Sequence, residues 1–255
     1  MVLVATPIGQ HFDDGLKVLQ ANRHLWCEKA LTNSVSQAQT LADAAEAAGL
    51  ALCVSYAPAF HPIYHEVRRI VHLGEIGRPQ LVRAAFGFPH TARSDSKYDP
   101  CTGGGALLDV GYYPLLLGAL LFDGMPSIHE AEVGRDVDFD VDTHGDCRLS
   151  TLSGIELHCE WGYGRDYVNQ LEIVGETGKI MAHPIFSKPP NRIPTLTIDR
   201  DGASAVHEFP RSNQFASMLR EFALANDDPV IRDKHRQFAV HGQQLLEGVR
   251  THGTA

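Results

Sequence analysis

Lys29, Asp109 and Tyr113 are side chains whose types and positions suit proton transfer. Lys29 follows the apolar run "HLWCEK", which is typical of a short buried strand. A lysine just past a strand is often only a solvated charge, but sites also gather at the carboxyl ends of parallel strands. There an ammonium can stabilise an alkoxide or return a proton to a ketone. Glu28 is expected to orient or neutralise this lysine rather than to react.

Asp109 and Tyr113 lie one helical turn apart in an apolar stretch. A buried carboxylate without a partner is costly, so Asp109 is expected to be paired, either near Lys29 or by a structural hydrogen bond to the preceding glycines. Tyr113 donates a hydrogen bond at neutral pH unless a cation such as Lys29 lowers its pKa. An ordinary core aromatic residue is the alternative interpretation of Tyr113.

Other polar residues have weaker patterns. His61 and His65 have the spacing of a zinc pair, but the third ligand is missing, so we expect no metal. Arg93, Lys97 and Tyr98 precede a glycine-rich segment and could meet polar groups of a substrate, although solvated loop charges are the simpler interpretation.

The elements that must position these residues change character near residue 60. Before it, short apolar runs alternate with helical patterns in the order β-α-β-α-β, which predicts a parallel sheet. After it, alternating segments predict a mostly antiparallel sheet flanked by helices, with a tight hairpin at "GETGKI" in which Gly178 takes a positive φ. The fold class is therefore α/β followed by α+β.

The composition argues against several classes of function. A net charge of −9 with scattered basic residues argues against binding to nucleic acid. No apolar run reaches the roughly 18 residues of a membrane span, and the first residues do not resemble a signal peptide. The chain has five widely spaced cysteines without a C-x-x-C pair, which indicates reduced thiols and a cytoplasmic location.

The order and spacing of several segments resemble the glucose–fructose oxidoreductase/inositol dehydrogenase (Gfo/Idh/MocA) family. The resemblance covers essentially the whole chain, and the segments that carry it are "VATPIGQHFD", "EKA", "FHP", "GEIGRPQLVRAAFGF" and "GGGALLDVGYYPLLLGALLFDG". It implies half of a Rossmann-like domain at residues 1–60 and a substrate and oligomerisation domain at residues 61–255.

The resemblance also implies an activity, the oxidation or reduction of a sugar, polyol or related small molecule with NAD or NADP. Lys29 would be the proton donor or acceptor, with Asp109 and Tyr113 completing the site. Thr6, Pro7, His11 and Glu28 would contact the cofactor, and His61 would face the substrate. The family's Glu-Lys-Pro reads Glu28-Lys29-Ala30 here, and its usual histidine is Tyr113.

One part of the family pattern does not occur in this sequence, the strand with the G-x-G-x-x-G fingerprint that binds pyrophosphate. The resemblance then implies an apolar sheet edge at residues 2–6, which we expect to be covered by another subunit, by the chain's own N-terminus or by a second protein. We also expect a homo-oligomer through the C-terminal sheet.

Two alternatives to dehydrogenation remain open. One is a non-redox dehydratase, epimerase, isomerase or cyclase that uses the same pocket. The other is a non-catalytic subunit that binds a ligand or a partner.

Overall fold

Three short strands begin the chain and pair in parallel, as predicted. In the computed structural model, which describes residues 1–122 and 124–253, the order is β1 (Val2–Val4), α1 (Ile8–Gln20), β2 (Leu25–Cys27), α2 (Val35–Ala47) and β3 (Leu52–Val54). Val4, Cys27 and Val54 lie side by side across the sheet. The segments that follow the three strands therefore leave the sheet along the same edge. Lys29 lies in the segment that follows the middle strand, β2.

Helix α2 shows how local sequence sets an element. The Ser34 side chain accepts a hydrogen bond from the Gln37 backbone N–H, which confirms the predicted cap. The reciprocal bond of a full capping box is absent among the described bonds: the Gln37 side chain accepts from Asn33 instead. Gly49 follows the last turn with a φ of 65°, a conformation that glycine adopts without strain.

The rest of the chain forms one large sheet with helices against it. The elements are α3 (Pro62–His72), β4 (Pro79–Phe88), α4 (Tyr112–Leu121), β5 (Ser127–Gly134), β6 (His144–Ser150), β7 (Glu156–Tyr163), β8 (Val168–Gly175), β9 (Gly178–His183), β10 (Thr195–Arg200), β11 (Ala203–Glu208), α5 (Gln214–Leu224) and α6 (Pro229–Gly253). The eight strands have the order β11-β10-β9-β8-β4-β7-β6-β5. Within this large sheet, β4 and β7 are the only described pair that is parallel, and the other described pairs are antiparallel, so the predicted fold class is confirmed.

Two local expectations about glycine and chain edges have different outcomes. The predicted positive φ at Gly178 is wrong: this glycine is needed because a Cβ there would lie 2.6 Å from the Asp199 carbonyl oxygen. Strand β1 pairs only with β2 in the described part of the chain, and Val2 and Leu3 are 40% and 48% exposed. In the described structure, the N-terminal residues of the chain do not cover this edge. Coverage of the edge by another subunit or by a second protein stays a prediction.

Helix α6 joins the two sheets. It packs against α2 and β3 of the small sheet and against β5 of the large one. The Glu247 carboxylate of α6 accepts a hydrogen bond from the Val35 N–H at 2.7 Å, at the first residue of α2. The predicted domain boundary at residue 60 stays a prediction.

The glycine-rich segment forms an irregular start to α4 rather than the single helix that the sequence predicts. Residues Leu107–Gly111 make a π-helical turn before α4. The Asp142 carboxylate accepts the Leu107 N–H at 2.6 Å, and Gly105 has a φ of 128° with no room for a Cβ beside that carboxylate. Such turns are frequent at functional sites.

This same region is apolar. The segment Pro100–Leu121 is long and apolar enough to resemble a membrane span by composition, with a mean hydropathy of 1.4 in its best window. In the structure, 72% of that window is buried inside the protein, as in a core helix.

We expect Gly105→Ala to destabilise the protein by about 2–3 kcal/mol, because it adds a clash with Asp142 to an unfavourable φ. Gly202→Ala is the matched control. Its φ is 76°, but a Cβ there meets nothing within 4 Å, so about 1 kcal/mol is expected. Urea unfolding measures both, and equal losses would contradict the assigned contact.

Candidate active site

The Lys29 and Asp109 side chains form an ion pair between the small sheet and the glycine-rich segment. Lys29 Nζ donates to Asp109 Oδ1 at 2.6 Å and to the Asp109 carbonyl oxygen at 2.7 Å. The two side chains are 15% and 29% exposed. The predicted proximity of these residues is confirmed, and both are withdrawn from water but still reachable.

Each member of this pair holds the other in its charged form. Burial alone would lower the pKa of Lys29, but the Asp109 carboxylate, with smaller contributions from Tyr113 and Glu28, outweighs burial and the net pKa is raised. Burial alone would raise the pKa of Asp109, yet the Lys29 ammonium and the Tyr163 hydroxyl hold that pKa below its usual value. At neutral pH the resting state is therefore an ammonium beside a carboxylate.

Tyr163 is the member of this cluster that the sequence analysis missed. Its hydroxyl donates to Asp109 Oδ2 at 3.0 Å, while Lys29 occupies Oδ1. Burial, and then the nearby Asp109 charge, raise the pKa of Tyr163, so it remains a donor. The only available signal was its place on the apolar alternation of β7, whose alternate residues Leu157, Cys159, Trp161 and Tyr163 are buried.

Close helix packing brings Tyr163 to the carboxylate. Gly111 and Gly118 let α4 and the turn before it lie directly on β7, because a Cβ on either would collide with Trp161 or Leu157. The last inward residue of the strand is then Tyr163, level with Asp109.

Tyr113 lies beside the ion pair, as predicted. Lys29 Nζ is 5.3 Å from the centre of its ring. Burial raises the pKa of Tyr113 and outweighs the opposite effect of Lys29, so the expected lowering by that cation does not prevail. Its backbone carbonyl accepts the Tyr56 hydroxyl at 2.7 Å, which fixes this turn.

The hydrogen bonds of Glu28 go to the backbone and to Ser55, and its charge helps to raise the pKa of Lys29. One carboxylate oxygen accepts the Lys29 backbone N–H at 3.4 Å, and the other accepts the Ser55 hydroxyl at 3.0 Å. Glu28 thus orients the turn that carries Lys29, and it links the ends of β2 and β3.

Thr6 and Pro7 lie on the accessible edge, but His11 does not. Thr6 is exposed and its hydroxyl donates to Asp14 at 3.1 Å. The buried His11 ring lies 2.9 Å from the Ala30 carbonyl oxygen and 2.7 Å from that of Thr6. Cofactor contact by His11 is therefore corrected to a structural role, because the buried ring lies between carbonyl groups of the loops after β1 and β2.

Of the remaining predicted residues, three contact other parts of the protein and the fourth, Lys97, lies near the ion pair. His61 is buried and its Nδ1 accepts the Ile63 N–H at 3.2 Å, so it caps α3 instead of facing a substrate. Arg93 pairs with Asp138 at 3.0 Å, and the buried Tyr98 accepts the Thr91 N–H at 3.2 Å. His61 and Tyr98 are therefore structural, whereas the Arg93–Asp138 pair is exposed and substrate contact by Arg93 stays a prediction.

Lys97 is the one predicted loop residue that the structure brings to the cluster. Its Nζ lies 4.9 Å from the Phe88 ring centre and 5.8 Å from that of Tyr163. Its charge also helps to hold the pKa of Asp109 down. Lys97 therefore adds a second cation near the ion pair.

Comparison with known proteins gives consistent matches. Residues 1–56 match the model of an oxidoreductase family with an NAD-binding Rossmann fold, and residues 64–181 match the Gfo/Idh/MocA C-terminal domain. A dTDP-3,4-didehydro-2,6-dideoxy-alpha-D-glucose 3-reductase from Streptomyces antibioticus is 31% identical over 249 residues, covering 96% of this chain and 75% of the relative.

Two further similar proteins are a xylose dehydrogenase and a ketoreductase of known structure. D-xylose 1-dehydrogenase (NADP(+)) 2 from Haloferax volcanii is 28% identical over 97% of this chain and 76% of its own length. The 3-ketoreductase KijD10 from Actinomadura kijaniata, solved with NADP and TDP-benzene, has a TM-score of 0.92 at 30% identity. That match covers 98% of this chain and 77% of the other.

We expect Lys29→Met to reverse the pH dependence of stability that Asp109 contributes. With Lys29 present, the folded pKa of Asp109 lies below its unfolded value, so the contribution is complete above about pH 4 and is lost as pH falls through the folded pKa. Without Lys29, burial raises that pKa. The variant should then lose stability as pH rises from about 4 to 7, and it should be about 2 kcal/mol less stable than wild type at pH 7.

Urea unfolding between about pH 4 and pH 8 measures this effect. Lys17→Met, which removes an exposed partner of Asp14, is the control and should follow the wild-type curve. The double variant Lys29→Met/Asp109→Asn should lose the reversed dependence. A Lys29→Met curve parallel to wild type at every pH would contradict the assigned coupling.

Proposed function

This chain belongs to the Gfo/Idh/MocA family of sugar-related oxidoreductases, and we propose that it transfers a hydride between a nicotinamide cofactor and a carbonyl or hydroxyl carbon of a sugar-type substrate. The observation that carries the proposal is the Lys29 ammonium held by Asp109 just beyond β2. The sugar class rests on relatives named for a nucleotide-linked keto sugar and for xylose.

The donor set at the edge after β1 and β2 fits the nicotinamide end of such a cofactor. Thr6 is exposed and Pro7 is partly exposed there, and Lys29 follows the neighbouring strand. A Cβ on Gly103 would lie 2.7 Å from the Gly9 backbone nitrogen, so the glycine-rich loop lies directly on the first turn of α1 beside them. We assign Thr6 and Pro7 to the nicotinamide and Lys29 to the substrate oxygen beside it, and the sequence offers no G-x-G-x-x-G for the pyrophosphate.

Lys29 carries the acid–base chemistry in this proposal. When bound, the cofactor supplies or accepts the hydride. In ketone reduction, negative charge develops on the substrate oxygen, where the Lys29 ammonium stabilises it and donates the proton. Asp109 keeps Lys29 protonated beforehand, and Tyr163 keeps Asp109 oriented. Tyr113, a neutral phenol beside Lys29, donates a hydrogen bond to the same substrate oxygen.

A second copy of the chain is the partner we propose for the outer face of the large sheet. This face carries oppositely charged cross-strand neighbours, Arg83 with Glu172 at 2.6 Å and Arg148 with Glu130 at 3.6 Å. Paired charges of both signs give a surface that can complement itself across a two-fold axis.

We expect the protein to oxidise NADPH or NADH in the presence of a keto sugar, and Lys29→Met to lower kcat by about 10²–10⁴-fold. The cofactor dissociation constant, measured by fluorescence titration, should change little because the ammonium acts on the substrate oxygen. Lys17→Met is the matched control and should retain wild-type kcat. Substrate conversion without consumption of reduced cofactor would contradict hydride transfer and favour the non-redox alternative.

We expect Asp109→Asn to move the alkaline limit of keto-sugar reduction to lower pH. A proton donor is active below its pKa and loses activity as pH rises through it. The carboxylate raises the pKa of Lys29, and burial lowers it once that carboxylate is gone. The pH profile of kcat measures this shift. Tyr163→Phe keeps the carboxylate and should keep the limit near its wild-type position. An unchanged profile in Asp109→Asn would contradict Lys29 as the donor.

A further inference from the structure

The Lys97 ammonium lies beside the candidate active site without a partner for its hydrogens. Its Nζ lies 4.9 Å from the centre of the Phe88 ring and 5.8 Å from that of Tyr163. In the described structure, no protein atom accepts a hydrogen bond from this ammonium and no carboxylate forms an ion pair with it. The side chain is only partly exposed, so the rings restrict the water that can reach its three donors.

The two carboxylates of the site are already bound elsewhere. Asp109 accepts Lys29 on Oδ1 and the Tyr163 hydroxyl on Oδ2. Glu28 accepts the Ser55 hydroxyl and the Lys29 backbone N–H. The Lys97 charge acts on Asp109 through space, since it helps to lower the pKa of that carboxyl group, but it gains no hydrogen bond there.

The backbone around Lys97 is fixed to the segment that carries Asp109. The Lys97 carbonyl accepts the Gly105 N–H at 2.9 Å. A Cβ on Gly104 would lie 2.6 Å from the same carbonyl oxygen, so only a glycine allows this approach. The loop and the glycine-rich segment therefore form one unit, and Lys97 is held at the site rather than on a free loop.

The two ammonium groups lie on either side of one tyrosine and one carboxylate. Lys29 is bonded to Asp109, the Tyr163 hydroxyl is bonded to the same carboxylate, and Lys97 lies over the Tyr163 ring. One sugar-sized molecule can therefore present its reacting oxygen to Lys29 and a second group to Lys97. An anion suits the second position, because ion pairing strengthens where aromatic rings exclude water.

We propose that Lys97 determines the charge of the substrate, because it binds an anionic group on the same sugar-type molecule that reacts at Lys29. The group is a carboxylate or a phosphate, since a lysine binds either as a point charge. This inference rests on the proposed function, and it makes Lys97 a specificity-determining residue rather than a proton donor.

Calorimetric titration without cofactor tests the charge preference. D-Glucuronate and D-glucose 6-phosphate are the anionic probes, and D-glucuronamide and D-glucose are their neutral counterparts. We expect at least one anion to bind about fivefold more tightly than its counterpart. The probe that shows the preference identifies the group as carboxylate or phosphate.

Three variants assign this preference to Lys97. Lys97→Gln should abolish it, whereas Lys97→Arg keeps the cation and should retain it. Lys179→Gln, which removes a lysine on β9 that pairs with Asp199, is the matched control and should behave as wild type. The proposal is overturned if neither anion binds, if no anion binds more tightly than its counterpart, or if a folded Lys97→Gln variant, checked by urea unfolding, keeps the preference.

Turnover is measured separately, so the two proposals can fail separately. With an anionic keto sugar, Lys97→Gln should raise KM about fivefold and leave kcat nearly unchanged, because the anion is bound equally before and during the reaction. A Lys97-dependent binding preference without any consumption of cofactor would contradict hydride transfer alone. Hydride transfer without that preference would overturn the role of Lys97 alone.

Discussion

The ion pair between Lys29 and Asp109 is the interaction on which the candidate site depends. Each charge is mostly withdrawn from water, which would be costly for either alone. Together they satisfy each other, and Tyr163 occupies the second carboxylate oxygen. The pair also joins the turn after β2 to the segment before α4, so the same contact that positions the reactive ammonium links the two parts of the fold.

The segment around Asp109 is held by constraints that have little to do with helix propensity. Asp142 accepts the Leu107 N–H, and Gly105 leaves room for that carboxylate. Gly111 and Gly118 then allow the segment to pack directly against β7. With the backbone held at both points, the Asp109 carboxylate lies between Lys29 and Tyr163.

Helix α4 separates two different environments. Asp109 lies in the turn before α4 and Tyr113 in its first turn, where ionised and phenolic groups meet under partial exposure. Its last turn borders a cavity of about 480 Å³ that is lined by Tyr56, Phe60 and Phe222 among others. Tyr56 touches both regions, since it lines the cavity and donates to the Tyr113 carbonyl.

The sequence by itself determined the elements whose signals are local. The β-α-β-α-β order, the Ser34 cap and the long alternating strands follow from periodicity and capping, which act over a few residues. Lys29 follows a predicted strand end, and the resemblance to the Gfo/Idh/MocA family singled out Asp109 and Tyr113, which helical spacing places on one face. The tertiary structure alone decided the roles of His11, His61 and Tyr163, because a histidine or tyrosine acts through the partner that packing brings to it. Tyr163 is 54 residues from Asp109 along the chain, and no local pattern encodes the register of β7 against α4.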